Sequence, residues 1–180
     1  MRKVVLYIAS SIDGQIARAD GSLDWLENAD NAEEDYGYEE FFASVDTTLM
    51  GNTTFRQILG FDVEFPYEGK KNYVFTRGEP EERSEATVTN RAPSEVVQEL
   101  KKSEGGDIWL VGGGSLNGEL LRADLIDRMI ITLIPVALGE GIPLFAGSAP
   151  ELPWELIEAE AYDNGFLQLT YERRPFVALS

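Results

Sequence analysis

The sequence contains no histidine and no cysteine. Those two absences exclude Ser-His-Asp and Cys-His nucleophilic machinery, zinc sites built on His and Cys, and the zinc deaminase signature, which needs both residue types. They also exclude a disulfide framework, so an intracellular protein is the default. Basic residues are scarce: 15 Lys and Arg face 32 Asp and Glu, a formal net charge of −17. Such a charge disfavours nucleic-acid phosphates and anionic membranes as direct partners. It also means that any anionic cofactor must be held by local donors against an unfavourable long-range field. No apolar run is long enough to span a bilayer, and the N-terminus enters strand-like sequence with no signal-peptide pattern, so a cytoplasmic location is expected. The remaining chemistry must come from carboxylates, hydroxyls, Lys, Arg, backbone dipoles or a borrowed cofactor. No metal site is expected.

A length of 180 residues with a hydrophobic fraction of 43% suits one domain, residues 1–180, with a substantial core. The organising stretch is Asp107-Ile108-Trp109-Leu110-Val111-Gly112-Gly113-Gly114-Ser115-Leu116, an apolar run that ends in three glycines and leads into a helical pattern. Residues without Cβ let the backbone approach a ligand closely, and the free N–H groups of the following helix suit a phosphate. The pattern is neither the Gly-x-Gly-x-x-Gly fingerprint nor a nucleoside-triphosphate loop. A tight strand-to-helix turn without a ligand is the alternative. Leu49-Met50-Gly51-Asn52-Thr53-Thr54 repeats the device, with Asn52 or Thr53 as N-cap candidates. Two anion-receptive helix ends suit a dinucleotide better than one.

Around these units, residues 4–9 form a continuous apolar run, the pattern of a strand buried on both faces, and residues 71–76, 107–111 and 127–137 also read as strands. Residues 10–17 read as a loop and 139–145 as a glycine- and proline-bounded loop. Pro93-Ser94 opens a helix, and residues 154–161 and 166–173 alternate around Asp163-Asn164-Gly165 as a hairpin. The expected fold is α/β: a central, mostly parallel sheet between helical layers, with an antiparallel C-terminal hairpin. Asp13-Gly14 lies beyond the end of the first strand, where α/β sheets place functional loops, or it is turn chemistry alone. Trp25, Tyr38, Phe41 and Phe42 form either core or a ligand wall. The acidic run Glu33, Glu34, Asp35, Glu39 and Glu40 reads as a solvated face. Arg77 is either a phosphate partner at a strand end or half of a surface ion pair.

Ser11-Ile12-Asp13-Gly14-x-Ile16-Ala17, Leu49-Met50-Gly51-x-Thr53-Thr54, Thr76-Arg77, Val111-Gly112-Gly113-Gly114-Ser115-Leu116 and Pro135-x5-Gly141-x-Pro143-Leu144-Phe145 occur in one order. Together they resemble the dihydrofolate-reductase-like superfamily, in particular a stand-alone relative of the C-terminal reductase domain of the bifunctional riboflavin-biosynthesis deaminase-reductase. The resemblance implies the three-layer sandwich of that superfamily, NADPH as cofactor and a homodimer. It implies that Ala9 and Ile16 line the nicotinamide pocket, with Ala9, Trp25 and Phe42 toward the substrate and Asp13 and Tyr38 in catalytic positions. Gly51, Asn52, Thr53 and Thr54 would meet the pyrophosphate from one helix, and Val111 to Leu116, through Gly112, Gly113, Gly114 and Ser115, from the other. Thr76 and Arg77 would sit near the adenosine 2′-phosphate. Two departures stand out. Asn52 replaces an Arg frequent in the family, and no carboxylate matches the substrate-binding acid of true dihydrofolate reductases, although Asp35 and Glu39 lie in that region. The sequence therefore supports an NADPH-dependent reductase of a small heterocycle, riboflavin-type pyrimidine or pterin-like. Its alternative is a nucleotide-binding protein of the same fold without efficient turnover. Exposed apolar residues for the dimer are expected within 129–145, with Pro135 at an edge or bulge.

Overall fold

The structure is a computed structural model and describes residues 1–27, 34–148 and 150–174. Glu33 lies outside the described residues. The first apolar run forms β1 (Val4–Ser11), followed by the short β2 (Gln15–Ala17), α1 (Asp24–Glu27) and α2 (Tyr38–Ser44). Then come β3 (Val45–Gly51), α3 (Asn52–Leu59), β4 (Lys71–Phe75), β5 (Thr87–Thr89) and α4 (Pro93–Lys102). The second half holds β6 (Asp107–Gly112), α5 (Gly114–Arg122), β7 (Arg128–Ile134), β8 (Ile142–Pro143), β9 (Trp154–Ala161) and β10 (Leu167–Arg173). Among the described residues no helix is long and apolar enough to cross a membrane.

Eight strands make one sheet in the order β5-β4-β3-β6-β1-β7-β10-β9. From β5 to β7 every pairing is parallel, and β10 and β9 add an antiparallel edge. The continuous apolar strands are explained by the two faces. Val4 and Leu6 pack with Val97 of α4 and Leu120 of α5, whereas Val5 packs with Phe41 of α2 and Phe55 of α3. Successive side chains of a strand point to opposite faces, so a strand covered on both must be apolar throughout. Truncating a fully buried Leu such as Leu120 in a core of this kind costs about 2–5 kcal/mol.

β6 enters the sheet between β3 and β1 after β4 and β5 have been laid down. The helices that follow the neighbours β3 and β6, namely α3 and α5, therefore leave toward opposite faces. That divergence opens a crevice at the carboxyl ends of the parallel strands, the switch point where α/β sheets bind ligands. The other ends of the strands are closed by internal pairing. Arg2, only 4% exposed, donates to Asp46, to Thr47 Oγ1 at 2.7 Å and to the Gly106 carbonyl at 2.6 Å. Lys101 holds both oxygens of Asp127.

Four expectations are corrected. Neither Asn52 nor Thr53 is an N-cap: Gly51 occupies that position with extended backbone and no side-chain cap. The 10–17 loop contains β2 and the 139–145 loop contains β8, and these two pair antiparallel, a long-range match too short to register as alternation. The 127–137 strand ends at Ile134, so Pro135 follows the strand. Finally, β7 is paired on both sides and is no edge for a dimer. Exposed large apolar residues lie elsewhere, at Ile12, at Leu59, Phe61 and Val63, and on the edge strand β9, where Leu156 and Ile157 are each 52% exposed.

The 142–146 segment crosses α5 at very short range. A Cβ at Gly114 would overlap the Pro143 carbonyl oxygen, and one at Gly118 would overlap the Ala146 carbonyl oxygen. Ala146 N–H donates to the Gly114 carbonyl at 2.9 Å, and Asn117 Nδ2 to the Leu144 carbonyl at 3.0 Å. In an open helix Gly→Ala gains about 1 kcal/mol of propensity. Here the added carbon meets main chain, and overpacking costs about 1–3 kcal/mol. Gly118→Ala is expected to lower the urea midpoint, a sign opposite to the propensity rule; a raised midpoint would show that the segment does not pack so closely.

Candidate functional site

β3 runs into α3 and β6 into α5, each through a glycine. Gly112 has φ of 112°, a region that residues with a Cβ rarely enter. A Cβ there would also stand 3.1 Å from Oδ1 of the buried Asn117. Gly51 and Gly113 are the N-caps, and neither helix has a side-chain cap. The first-turn N–H groups of both helices thus lack the usual internal acceptor and face the crevice with the positive ends of the two dipoles. The units are tied together, because Gly113 N–H donates to Thr54 Oγ1 at 3.3 Å.

Between them lies a cleft of about 660 Å³. Its middle is lined by Gly51, Asn52, Thr53 and Thr54 on the β3 side and by Val111, Gly113, Gly114, Ser115 and Leu116 on the β6 side. Toward β1 the wall is apolar, with Ala9, Ile16, Ala17, Leu23, Leu26 and Ile142. Beyond β3 it ends at Thr76, Arg77 and Gly78, after β4. From β4 through β3 and β6 to β1 is three strand spacings, about 14 Å. The cleft is therefore long and graded: an apolar end, backbone donors in the middle and a cation at the far end. Among the described residues Arg77 is its one charged lining residue. The ion pairs of the Glu-rich segment are made by Arg56 and Arg83 with Glu81, and among the described residues Arg77 makes none.

The structure brings together in this lining Ala9, Ile16, Gly51, Asn52, Thr53, Thr54, Thr76, Arg77, Val111, Gly113, Gly114, Ser115 and Leu116. It does not bring in Gly112, which sits behind the turn against Asn117. Trp25 is 4% exposed and packs with Ile134 and Phe166, while its neighbours Leu23 and Leu26 line the cleft instead. Tyr38 and Phe42 lie on the α2 face against Trp109, with ring centroids 5.9 and 6.4 Å apart, and Phe42 also receives Lys70 Nζ at 4.0 Å. Burial holds the Tyr38 phenol above its ordinary value, so it is protonated at neutral pH. Leu23, Leu26, Gly21, Gln57 and Ile142 went unread in the sequence. Gln57 could have been found, since it follows Thr53 by one turn on the same helix face; its Nε2 donates to the Gly21 carbonyl at 2.8 Å. Ile142 arrives through the β2–β8 pairing, which has no local signal.

Asp13 is outside the lining and fully engaged. Its carboxylate accepts from the Ser11 hydroxyl, from Leu138 N–H at 3.1 Å and from Gly139 N–H at 2.7 Å. It thus clips the turn after β1 to the loop before β8.

A parallel sheet with paired glycine–helix turns at its switch point defines an α/β domain of the dihydrofolate-reductase-like kind. More narrowly, the chain belongs to the RibD C-terminal domain family, whose model matches residues 63–168. It is 44% identical over 174 residues to the uncharacterized protein YwjB of Bacillus subtilis, covering 96% of this chain and 98% of that one. It is 30% identical over 148 residues to the riboflavin biosynthesis protein RibD of Mycobacterium tuberculosis, covering 73% of this chain and 41% of RibD. A crystal structure of a Shewanella sp. PV-4 protein, provisionally named for riboflavin biosynthesis, superposes with a TM-score of 0.87 at 30% identity, over 96% of this chain and 99% of that one.

The Ser11 hydroxyl and then the two amides pull the Asp13 carboxyl down to about 2 from an ordinary 3.8. A carboxylate depressed in the folded state stabilises the fold above its unfolded pKa, and that contribution is lost as pH falls through the folded value. Asp13→Asn is therefore expected to lower the thermal midpoint at neutral pH, with the gap to wild type closing between pH 3.8 and about 2. A gap that persists unchanged at pH 2 contradicts the clip.

Proposed function

We propose that this protein is a cytoplasmic, NADPH-dependent reductase that passes a hydride to a small heterocycle of the riboflavin-type pyrimidine or pterin-like class. The observation that carries this reading is the joint lining of one cleft by both glycine–helix units, with an apolar end and a cationic end. The residues present fit a nicotinamide dinucleotide. Uncapped amides at the starts of α3 and α5 suit the pyrophosphate. Arg77 suits the 2′-phosphate, and Ala9, Ile16, Ala17 and Ile142 offer an apolar wall to a flat ring. When bound, the nicotinamide supplies the hydride, and a substrate C=N or C=O takes it at carbon. The protein positions the pair and excludes water from the apolar end. No carboxylate or phenol lines the cleft among the described residues, so the balancing proton is assigned to solvent, and Asp13 and Tyr38 are assigned structural roles. A cysteine-free sequence fits a reducing compartment.

The same absence of an acid in the lining favours a second reading, a nucleotide-binding protein without efficient turnover. Titration with NADPH and with NADH, followed by tryptophan fluorescence, is expected to show saturable binding. NADPH oxidation with a panel of pyrimidines and pterins is then expected to reveal turnover. Binding without oxidation of any panel member moves the assignment to the second reading; no binding of either nucleotide defeats both.

The proposal includes a homodimer formed through β9. Among the described residues no strand pairs with its outer edge, and the strand carries exposed Leu156 and Ile157, a template for pairing that folded proteins normally cover. Sedimentation is expected to give a dimer, and Ile157→Glu a monomer with an unchanged far-ultraviolet spectrum. A monomeric wild type refutes the dimer.

A further inference from the structure

Beside the cationic end of the cleft is a second hollow of about 390 Å³, which shares Asn52, Thr76 and Gly78 with it. Its charged lining is Arg56, Arg83, Glu79 and Glu81. Arg56 stands on α3 four residues after Asn52, hence on the same helix face one turn along. Arg83 reaches in from the segment after β4. One carboxylate bridges the two: Arg56 Nη2 lies 3.0 Å from Glu81 Oε1, and Arg83 Nη2 lies 2.6 Å from Glu81 Oε2. Arg83 and then Arg56 hold the Glu81 carboxyl below its ordinary range, so it is ionised at neutral pH.

We propose that Arg56 and Arg83 form, beside Arg77, a phosphate subsite at the adenosine end of the cleft, in which Glu81 is a built-in placeholder that the 2′-phosphate of the nucleotide displaces. This rests on the nicotinamide-dinucleotide reading above. All three side chains are more than a third exposed, and ion pairs in that setting are weak enough to exchange partners. A phosphate offers three acceptor oxygens and nearly twice the charge, and guanidinium groups hold it by paired, charge-assisted hydrogen bonds. The bridging carboxylate keeps both guanidinium groups converging on one point before the ligand arrives, which reduces the ordering cost of binding. Glu81 then sets selectivity between the two nucleotides, because NADH carries nothing that repays its displacement.

The test is the dissociation constants of NADPH and NADH, read from tryptophan fluorescence, for wild type and for Glu81→Gln, Arg56→Gln and Arg83→Gln. Glu81→Gln is expected to tighten NADPH several-fold and leave NADH unchanged. Each arginine variant is expected to weaken NADPH by about tenfold, the equivalent of one lost charge-assisted contact, again with NADH unchanged. Normal NADH binding with NADPH affinities that do not move, or that move in parallel with NADH, overturns the subsite and leaves the dinucleotide reading standing. Wild type that binds neither nucleotide overturns both. A merely structural triad would lower the thermal midpoint of all three variants without changing the NADPH-to-NADH ratio.

Discussion

The close approach of the 142–146 backbone to α5 is the contact on which the apolar half of the cleft depends. Gly118 gives up about 1 kcal/mol of helix propensity, and Gly114 a side chain at the first helical position, to leave room for two carbonyl oxygens. The return is a chain of main-chain contacts. Ala146 and Leu144 are tied to α5, Leu144 N–H donates to the Gly14 carbonyl at 2.8 Å, and β8 pairs with β2. Asp13 then joins the turn after β1 to residues 138 and 139. Ile16, Ala17 and Ile142 hold their places in the cleft wall because these backbone links hold theirs.

Charge is distributed with the same economy. The chain carries a formal −17, yet no carboxylate lines the cleft among the described residues. At physiological ionic strength the exposed acidic surface is screened over about 8 Å. Donors within hydrogen-bond distance therefore decide what the cleft attracts. At the opposite ends of the strands, Arg2 with Asp46 and Lys101 with Asp127 spend their charges on each other. One end of the parallel sheet is thus internally neutralised, while the other leaves helix amides and Arg77 available.

Much of this was legible in the residues. The glycine–helix units were readable because three glycines after an apolar run have a local cause, a backbone that must turn within one or two residues, and the cleft lining contains both of them. The strand β1 showed as an unbroken apolar run because both its faces are covered, and Asn164-Gly165 marked the final hairpin by turn chemistry alone. Less legible were the aromatic residues. Trp25, Tyr38 and Phe42 have the sizes and spacing of a ligand wall, but they pack against Phe166 and Trp109, partners more than 60 residues away. Asp13 looked like a residue with free chemistry, and its carboxylate proved occupied by amides 125 and 126 residues downstream.

The sequence by itself determined the local devices: where backbone N–H groups are left uncapped, where strands run apolar on both sides, and which catalytic chemistries have no residues to perform them. Only the tertiary structure decided which side chains meet. The order β4-β3-β6-β1 sends α3 and α5 to opposite faces and so creates the crevice. The crossing of residues 142–146 over α5 then sets Ile142 at its apolar end, while the packing of Trp25 on Ile134 and Phe166 leaves Leu23 and Leu26 to line it. The reason is physical. A backbone turn is governed by the torsions of two or three adjacent residues, whereas the direction a side chain finally faces is set by whichever distant main chain packs against it.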